Sequence, residues 1–313
     1  MIIVDDINSF EYMGSMAVSI GKFDGFHLGH DEIVHHLLSY KDKGFDICVV
    51  TFKEPPLAVL THENDIKVLT TNAEKKRIFE ELGFDYYIEL PFDESIRCME
   101  PSEFAQKILL RKLNMKACVL GTDLRFGHNG AGNAALLEKL GDKYDFAVKV
   151  IDKVMLDNEI VSSTYIRQLI LDGNVEIAAR FLKIPYHIYG QVVHGRQIGR
   201  TISIPTVNLI PVKDKLLPPF GVYISMTEYN GKSYRSITNI GCKPTISGSK
   251  PDVSAETYIF DFDNQIYNEY INVSLLKFVR GEMKFDSIDE LKAQMELDVK
   301  VAEEYYVNQA DQA

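Results

Sequence analysis

The sequence predicts an α/β domain with a parallel sheet, followed by a smaller all-β domain. In the first half, strand-like and helix-like segments alternate, which indicates a parallel sheet covered by helices on both faces. After Pro185 the pattern changes to short β-rich runs between Gly, Pro, Asn and Asp turns, typical of a small barrel or sandwich. The length of 313 residues suits two domains of roughly 150 residues each. We therefore expect one domain over residues 1–184 and another over 185–313.

The first half contains five segments that are typical of buried strands, with helical segments between them. Helices are predicted from the capping box Thr71–Glu74, over 101–113, over 163 to about 171, and over 175–182. In such a fold a ligand site is expected at the carboxyl ends of the strands. The predicted strands are Met16–Ile20, Asp46–Phe52, Tyr86–Leu90, Ala117–Leu120 and Phe146–Ile151.

The second half consists of short strands and ends on a predicted helix. Ser287–Glu290 has a second capping-box pattern, and Ile288, Leu291 and Met295 share one apolar face of the helix that follows. The strand-like runs before it include GQVV, GVYIS, SYRSIT, AETYIFDF and INVSLLKF.

Composition and charge argue against several classes of function. A net charge of −11 disfavours nucleic acid as a partner, because phosphate backbones need clustered Lys and Arg. The four cysteines have no paired spacing, so we expect neither zinc nor disulfides. A signal peptide and an apolar run of roughly 18 residues are both missing, which predicts a cytoplasmic protein without a membrane partner. The sequence identifies no protein partner and leaves a weak homo-oligomer open.

The segment GKFDGFHLGH, residues 21–30, directly follows the first predicted strand. Its glycines allow a sharp turn and a close approach of the backbone to a ligand. His27 and His30 are three residues apart, so both rings project to one side at the start of a helix. With the helix amides they can hold phosphate and stabilise the extra charge on an α-phosphate under attack. The alternative is a surface histidine pair beside a glycine-rich turn.

Two further polar segments have the right positions for ligand contact. Asp123 and Arg125 lie in GTDLRFG, after a predicted strand. Ser163, Thr164 and Arg167 lie in VSSTYIR, where hydroxyls, free amides and a guanidinium can hold a triphosphate, although Ser and Thr are also common helix caps. The sequence has no G-x-x-x-x-G-K-[ST] motif, which argues against a Walker-type ATPase.

In the second half, HGRQIGRTISIPTVN is the informative run. Gly195, Gly199 and Arg200 indicate a flexible basic loop able to fold over phosphates. Thr206 and Asn208 are two residues apart and share a face of an extended segment. Their hydroxyl and amide oxygens suit Mg²⁺ when phosphates supply its remaining ligands. An ordinary turn followed by a strand fits these residues equally well.

Together, GKFDGFHLGH, GTDLRFG and VSSTYIR resemble the adenylyltransferase module of the bacterial bifunctional riboflavin kinase/FMN adenylyltransferases. The resemblance covers nearly all of residues 15–185 and implies a Rossmann-like nucleotidyltransferase domain. The implied reaction transfers AMP from ATP to FMN, making FAD. His27 and His30 are then catalytic, and Asp123 and Arg125 bind the flavin. The implied nucleotide-binding residues are Gly21, Phe23, Asp24, Gly29, Ser163, Thr164 and Arg167.

The second half resembles the riboflavin kinase part of that family, whose signature reads G-R-T-x-G-F-P-T-A-N. FGVYIS, NIGCKPT, AETYIFDF and FVRGEMKF also fall in the family's order. The resemblance implies a six-stranded β-barrel that phosphorylates riboflavin to FMN, with Thr206 and Asn208 holding Mg²⁺ and ATP. Glu256 is then the base that takes the proton from the riboflavin 5′-hydroxyl. The other implied contacts are Arg280 and Glu282 for the flavin, and Gly195, Gly199 and Arg200 for the nucleotide.

Several positions depart from the family pattern. TFKEPP, residues 51–56, replaces T-F-x-P-H-P and so lacks a histidine on the flavin or phosphate side. Ser203 and Ile204 replace Gly and Phe, Val207 replaces Ala, and Asn268 stands where a glycine usually follows Tyr; a lost glycine can block a special backbone angle. The metal ligands and the carboxylate remain, which favours an active kinase. Two alternatives stay open: an FMN adenylyltransferase with a degenerate, flavin-binding kinase module, and a flavin-sensing protein without catalysis.

Overall fold

A computed structural model describes residues 1–61, 65–195, 204–243 and 252–310. The chain divides into two compact units, Met1–Ser163 and Thr164–Ala313. The boundary near Pro185 between functional domains stays a prediction. In the described parts of the chain, no helix has both the length and the apolar content needed to cross a membrane. All four cysteines are free thiols.

A six-stranded sheet forms the centre of the first unit, and all of its neighbouring strands are parallel. The strands are β1 (Ile2–Val4), β2 (Met16–Ile20), β3 (Asp46–Phe52), β4 (Tyr86–Leu90), β5 (Met115–Gly121) and β6 (Ala147–Ile151). Their order is β1-β4-β3-β2-β5-β6. The chain therefore adds β3 and β4 on one side of β2, and then β5 and β6 on the other side. Such a reversal opens a crevice at the carboxyl ends of β2 and β5.

Burial along these strands follows their place in the sheet. Every residue of β2 is buried, as expected for a central strand with helices on both faces. β6 lies at the edge, where Ala147 and Lys149 are exposed and only Ile151 is buried. The strand predicted over 146–151 therefore exists, but the prediction that it is buried was wrong.

Helices flank the sheet where their start signals predict them. Thr71 accepts a hydrogen bond from the Glu74 N–H through its hydroxyl (3.2 Å) and donates its own N–H to the Glu74 carboxylate (2.8 Å), so the predicted capping box is confirmed. The helices are α1 (Leu28–Leu38), α2 (Pro56–Thr61), α3 (Asn72–Glu81), α4 (Glu94–Arg97), α5 (Pro101–Phe104), which continues as a π-helical segment (Ala105–Lys112), and α6 (Ala134–Tyr144). A small hairpin follows, β7 (Met155–Leu156) and β8 (Glu159–Ile160).

The second unit is a closed antiparallel barrel preceded by two helices, α7 (Ser163–Leu171) and α8 (Val175–Phe181). Its strands are β9 (His187–Val193), β10 (Thr206–Leu209), β11 (Gly221–Tyr229), β12 (Lys232–Lys243), β13 (Asp252–Ile259) and β14 (Tyr270–Gly281). Their order is β10-β13-β12-β11-β14-β9, and pairing of β9 with β10 closes the barrel. The predicted six-stranded barrel is confirmed, and the alternative prediction of a sandwich is wrong.

The last helix, α9 (Ile288–Ala310), packs on the outer face of the barrel. Ser287 caps it by accepting from the Glu290 N–H (3.2 Å), but the Glu290 carboxylate accepts from Asp286 rather than from Ser287. Leu291 and Met295 lie on the inner face, as predicted. Ile288, the first residue of the helix, is 60% exposed.

Candidate active sites

The segment 21–30 connects β2 to α1 at the crevice between β2 and β5. Phe23 and Gly25 have φ angles of 48° and 69°, so the backbone turns sharply directly after the strand. The Gly25 N–H donates to Thr70 Oγ1 (2.9 Å), and the Thr70 N–H donates to Asp24 Oδ1 (3.0 Å). A second loop thus fixes this turn, which we call the cradle (residues 21–30).

The structure brings the two cradle histidines together. The rings of His27 and His30 stack with centroids 3.6 Å apart and planes 13° from parallel. His27 caps α1, since its Nδ1 accepts from the backbone N–H of His30 (3.2 Å). His30 Nδ1 in turn lies 3.3 Å from the carbonyl oxygen of Gly25. A Cβ at Gly29 would press on the His27 ring at 3.2 Å, so glycine gives that ring its room.

Both rings are neutral at pH 7. Burial lowers the pKa of His27 to about 4, against the opposing charge of Asp123. Burial and the neighbouring His27 hold the pKa of His30 well below its usual value. A carbonyl oxygen only accepts, so we assign the His30 proton to Nδ1; His27 Nδ1 accepts, so we assign its proton to Nε2. His27 Nε2 is therefore a donor, whereas His30 Nε2 donates only after the ring gains a proton.

The other predicted residues of the first unit differ in how they are placed relative to the histidine pair. Ser163, the last residue of the first unit, donates from Oγ to the carbonyl oxygen of Asp24 in the cradle (2.6 Å). Asp123 follows β5 and is close enough to His27 to affect its pKa. Arg125 instead donates to the neighbouring Leu124 carbonyl oxygen (2.8 Å) and is exposed.

The Phe23 side chain is 2% exposed and packs against the rings of His30 (5.1 Å) and Phe79 (5.2 Å). Only its backbone is available to a nucleotide. Thr164 and Arg167 lie on α7 in the second unit, with Thr164 exposed and Arg167 half-buried.

A buried lysine beneath the cradle was not predicted. Lys75 is 8% exposed and donates from Nζ to the carbonyl oxygen of Lys22 (3.4 Å). Burial lowers its pKa, and the carboxylates of Asp24 and Glu89 oppose that effect. The sequence signal was its spacing of four from Phe79, which places both residues on the buried face of α3.

In the second unit, a cavity of about 290 Å³ lies between the barrel and α9. Four predicted site residues line it: Thr206, Glu256, Arg280 and Glu282. Most of the remaining wall is apolar, including Val222, Ile237, Tyr258, Met295 and Val299. The cavity therefore suits a flat, largely apolar ligand with a few polar contacts.

Strand register places Asn208, which does not itself line this cavity, in one row with two polar residues that do. Asn208 on β10 lies directly opposite Glu256 on β13, and Asn239 on β12 lies opposite Glu256 from the other side. Residues in one such row project to the same face of the sheet. Asn208 is 5% exposed, and a Cβ at Gly195 would overlap its amide, so a larger residue there would displace that amide.

A second cavity of about 220 Å³ adjoins the first. Val207 and Thr257 line it. Along β10 and β13 these two residues directly follow Thr206 and Glu256, which line the first cavity, and therefore point to the opposite face of the sheet. Tyr267 also lines it and stacks on His194 with ring centroids 3.8 Å apart. Thr206 lines both cavities.

The residues available for a metal fit Mg²⁺ only with help from a substrate. No group of three or more His, Cys, Asp or Glu residues that could hold a metal occurs in the described ranges. Thr206 and Asn208, with Glu256 opposite Asn208, offer hard oxygen atoms, and phosphates would complete the coordination.

The departures from the family pattern leave this site intact where it is described. Ile204 is 7% exposed and keeps an apolar wall in the first cavity, and Val207 does so in the second. Asn268 has a φ of 65°, so it adopts the left-handed conformation for which glycine is usual. Gly199, Arg200 and Ser203 lie outside the described residues.

Comparisons with known proteins assign each unit to a family. Residues 10–165 match FAD synthetase and residues 182–306 match riboflavin kinase. A protein described as a bifunctional riboflavin kinase/FMN adenylyltransferase, from Buchnera aphidicola subsp. Schizaphis graminum, is 36% identical, over 93% of this chain and 94% of its own. Proteins with the same description from Bacillus subtilis (33%, 95% of each chain) and Escherichia coli K12 (33%, 92% of each chain) agree. The chain belongs to this family.

As a member of the bifunctional riboflavin kinase/FMN adenylyltransferases, the chain is an enzyme with ATP and flavins as substrates. The FAD synthetase match contains the cradle, Ser163 and Thr164, and the riboflavin kinase match contains both cavities. The predicted family and both predicted folds are confirmed. A crystal structure described as a macrolide-efflux protein from Streptococcus pneumoniae also aligns, with a TM-score of 0.83 and 31% identity, over 96% of this chain and 98% of that one.

Proposed function

We propose that this chain makes FAD from riboflavin in two ATP-dependent steps, one in each unit. The observation that carries the proposal is the presence of two sites of different chemistry: a stacked histidine pair in a phosphate cradle, and a carboxylate in an apolar cavity that adjoins a second cavity. Relatives that align over both units favour this function over an adenylyltransferase with a degenerate kinase module.

In the kinase step, the flavin ring occupies the apolar cavity beside α9, and ATP enters from the second cavity. Glu256 takes the proton of the riboflavin 5′-hydroxyl while its oxygen attacks the γ-phosphorus, and ADP leaves. Thr206, which borders both cavities, and Asn208, which lies opposite Glu256, would hold Mg²⁺ together with the phosphates of ATP. The ion would neutralise charge on the transferred phosphate. Arg280 and Glu282 contact the flavin from the cavity wall.

In the adenylylation step, the phosphate of FMN attacks the α-phosphorus of a second ATP, and pyrophosphate leaves. His27 donates from Nε2 to the developing charge, and His30 does so once protonated. The Ser163 and Thr164 hydroxyls, with Arg167, hold the departing pyrophosphate. An FMN phosphate is already a nucleophile at neutral pH, so positioning and electrostatics supply the rate without a covalent intermediate.

The remaining contacts and the compartment belong to the same proposal. Asp123 and Arg125 bind the flavin of FMN. The glycines of the cradle let the nucleotide approach the protein backbone closely. Gly195, Gly199 and Arg200 cover the phosphates of the kinase substrate. The enzyme acts in the cytoplasm, in keeping with its free thiols. Its net charge of −11 fits single nucleotides rather than nucleic acids.

The test is an assay of the purified chain with Mg-ATP and either riboflavin or FMN, with flavin products separated by chromatography. Riboflavin should give FMN and then FAD, and FMN should give FAD and pyrophosphate. FAD from FMN without any product from riboflavin would select the degenerate kinase. No turnover of either flavin would leave a binding protein. Omission of Mg²⁺ should stop phosphorylation.

A further inference from the structure

Arg280, on the wall of the larger cavity, is held by a carboxylate from the C-terminal helix. Its Nε lies 2.9 Å and 3.2 Å from the two carboxylate oxygens of Asp298, and its Nη2 lies 2.6 Å from Oδ2. Nη1 donates to the Gly281 carbonyl oxygen (3.0 Å). Gln294, one turn earlier on α9, donates to Asp298 Oδ1 (2.9 Å). Every nitrogen of the guanidinium is thus engaged, and its plane is fixed.

This pair joins two walls of one cavity. Arg280 belongs to β14 and Asp298 to α9, and both residues line the space between the barrel and the helix. Asp298 is 5% exposed, and the Arg280 side chain is 19% exposed. Met295 and Val299 come from the same helix face as Asp298, so the pair also sets where those apolar side chains stand against the barrel.

Stability alone is a weak reason for such a pair. Buried ion pairs can often be replaced by apolar residues without loss, because desolvation offsets their attraction. The space around this pair is otherwise largely apolar, yet the chain has a charged fork there, facing the cavity. A planar fork gives a fixed direction, which an apolar contact does not.

We propose that Asp298 is a positioning residue of the riboflavin kinase site, fixing the Arg280 guanidinium and the C-terminal helix against the cavity that takes the flavin. The inference rests on the proposed function, since it assigns this cavity to the flavin. Asp298 itself need not touch riboflavin. Its loss frees Arg280 and loosens α9, which weakens flavin binding more than it slows phosphate transfer.

The test is Asp298→Asn in the full chain. The riboflavin KM, and the Kd from quenching of flavin fluorescence, should rise about tenfold to a hundredfold, with a smaller change in kcat. FAD formation from FMN should stay unchanged, because it belongs to the first unit, and a largely retained kcat for phosphorylation shows that the barrel is folded. Asp298→Glu keeps the charge and should recover part of the affinity. Asp261→Asn is the matched control, because it removes an exposed Arg–Asp pair of the same barrel, Arg235 Nη2 to Asp261 Oδ2 at 3.2 Å, and should change nothing.

Gln294→Met gives a milder variant if Asp298→Asn fails to fold, since it removes one anchor of the carboxylate and suits a helix. It should raise the riboflavin Kd by a few-fold. Unchanged riboflavin affinity in the folded variants, or a fall in kcat at constant KM, would overturn the role of Asp298. The fluorescence titration reports on this role independently of catalysis. An unmutated chain that binds riboflavin without phosphorylating it would instead defeat the proposed kinase function.

Discussion

His30 Nδ1 lies 3.3 Å from the carbonyl oxygen of Gly25, whereas His27 Nδ1 accepts a hydrogen bond from the backbone of His30. Two stacked rings of the same residue type therefore carry their protons on opposite nitrogens. At Nε2, neutral His27 offers a donor and neutral His30 an acceptor. For both to donate to a phosphate, His30 must take up a proton, and the phosphate charge favours that uptake by raising its pKa.

Nucleotide binding to the first unit should be coupled to proton uptake at His30. Since the pKa of His30 is held well below its usual value by burial, the free ring is neutral at pH 7, and ATP should draw in up to one proton. Calorimetry of Mg-ATP binding in two buffers of different ionisation enthalpy measures this number. His30→Gln removes the titrating ring and should reduce the uptake accordingly. Equal buffer dependence in both proteins would contradict the assignment.

His30→Ala should abolish FAD formation and spare riboflavin phosphorylation. Loss of one donor to a developing oxyanion lowers kcat by about a hundredfold to a thousandfold. The kinase site contains neither histidine, so its rate in the same sample is an internal control for the amount of intact protein and for folding of the second unit. His27→Ala should act in the same direction and also weaken the start of α1, because His27 caps that helix. Parallel loss of both activities would contradict separate sites.

Acid should destabilise the cradle. The pKa of His27 is about 4 when folded and near 6.5 when unfolded, so the unfolded chain binds more protons between these values. The free energy of unfolding therefore falls as the pH drops from about 6.5 to about 4, by up to about 3 kcal/mol from His27. Hydrogen exchange of the cradle amides at several pH values measures this loss. His27→Gln should show a flatter pH dependence; an equal slope would exclude His27 as its source.

The sequence predicted those features that depend on local pattern. The capping box at Thr71 and Glu74, the central strands and the turn after β2 each follow from neighbouring residues, and the structure contains them. The family resemblance supplied the barrel and placed Glu256 and Thr206 in one site, which the lining of the larger cavity matches.

Features that depend on tertiary neighbours could not be read in this way. β6 has the apolar content of a central strand, but its position at the sheet edge exposes Ala147 and Lys149. Asp298 looks like an ordinary surface charge of an amphipathic helix, and Lys75 differs from one only in its spacing from Phe79. Packing against the barrel and beneath the cradle buries them. Their partners, the carbonyl of Lys22 and the guanidinium of Arg280, are distant in sequence.

Asn208→Ala should abolish riboflavin phosphorylation while FAD formation from FMN continues. The variant removes the amide oxygen opposite Glu256 and with it a proposed Mg²⁺ ligand. Gly195→Ala should have a similar effect, because the added Cβ overlaps that amide and displaces it. Rates should be measured over a range of Mg²⁺ concentrations, because excess Mg²⁺ should partly relieve the loss of a metal ligand in Asn208→Ala. Unchanged phosphorylation would remove Asn208 as a ligand.

Asn268 allows a test of whether the departure from glycine harms the kinase. Its φ of 65° is accessible to Asn and Gly, whereas a β-branched residue there costs about 1–2 kcal/mol. Its N–H donates to the Val192 carbonyl oxygen (2.9 Å), and it directly follows Tyr267, which lines the smaller cavity. Asn268→Gly should therefore keep both the melting temperature and the KM for ATP in phosphorylation. Asn268→Val should lower the melting temperature and raise the KM for ATP. A large gain in activity from Asn268→Gly would show that the natural asparagine impairs the site.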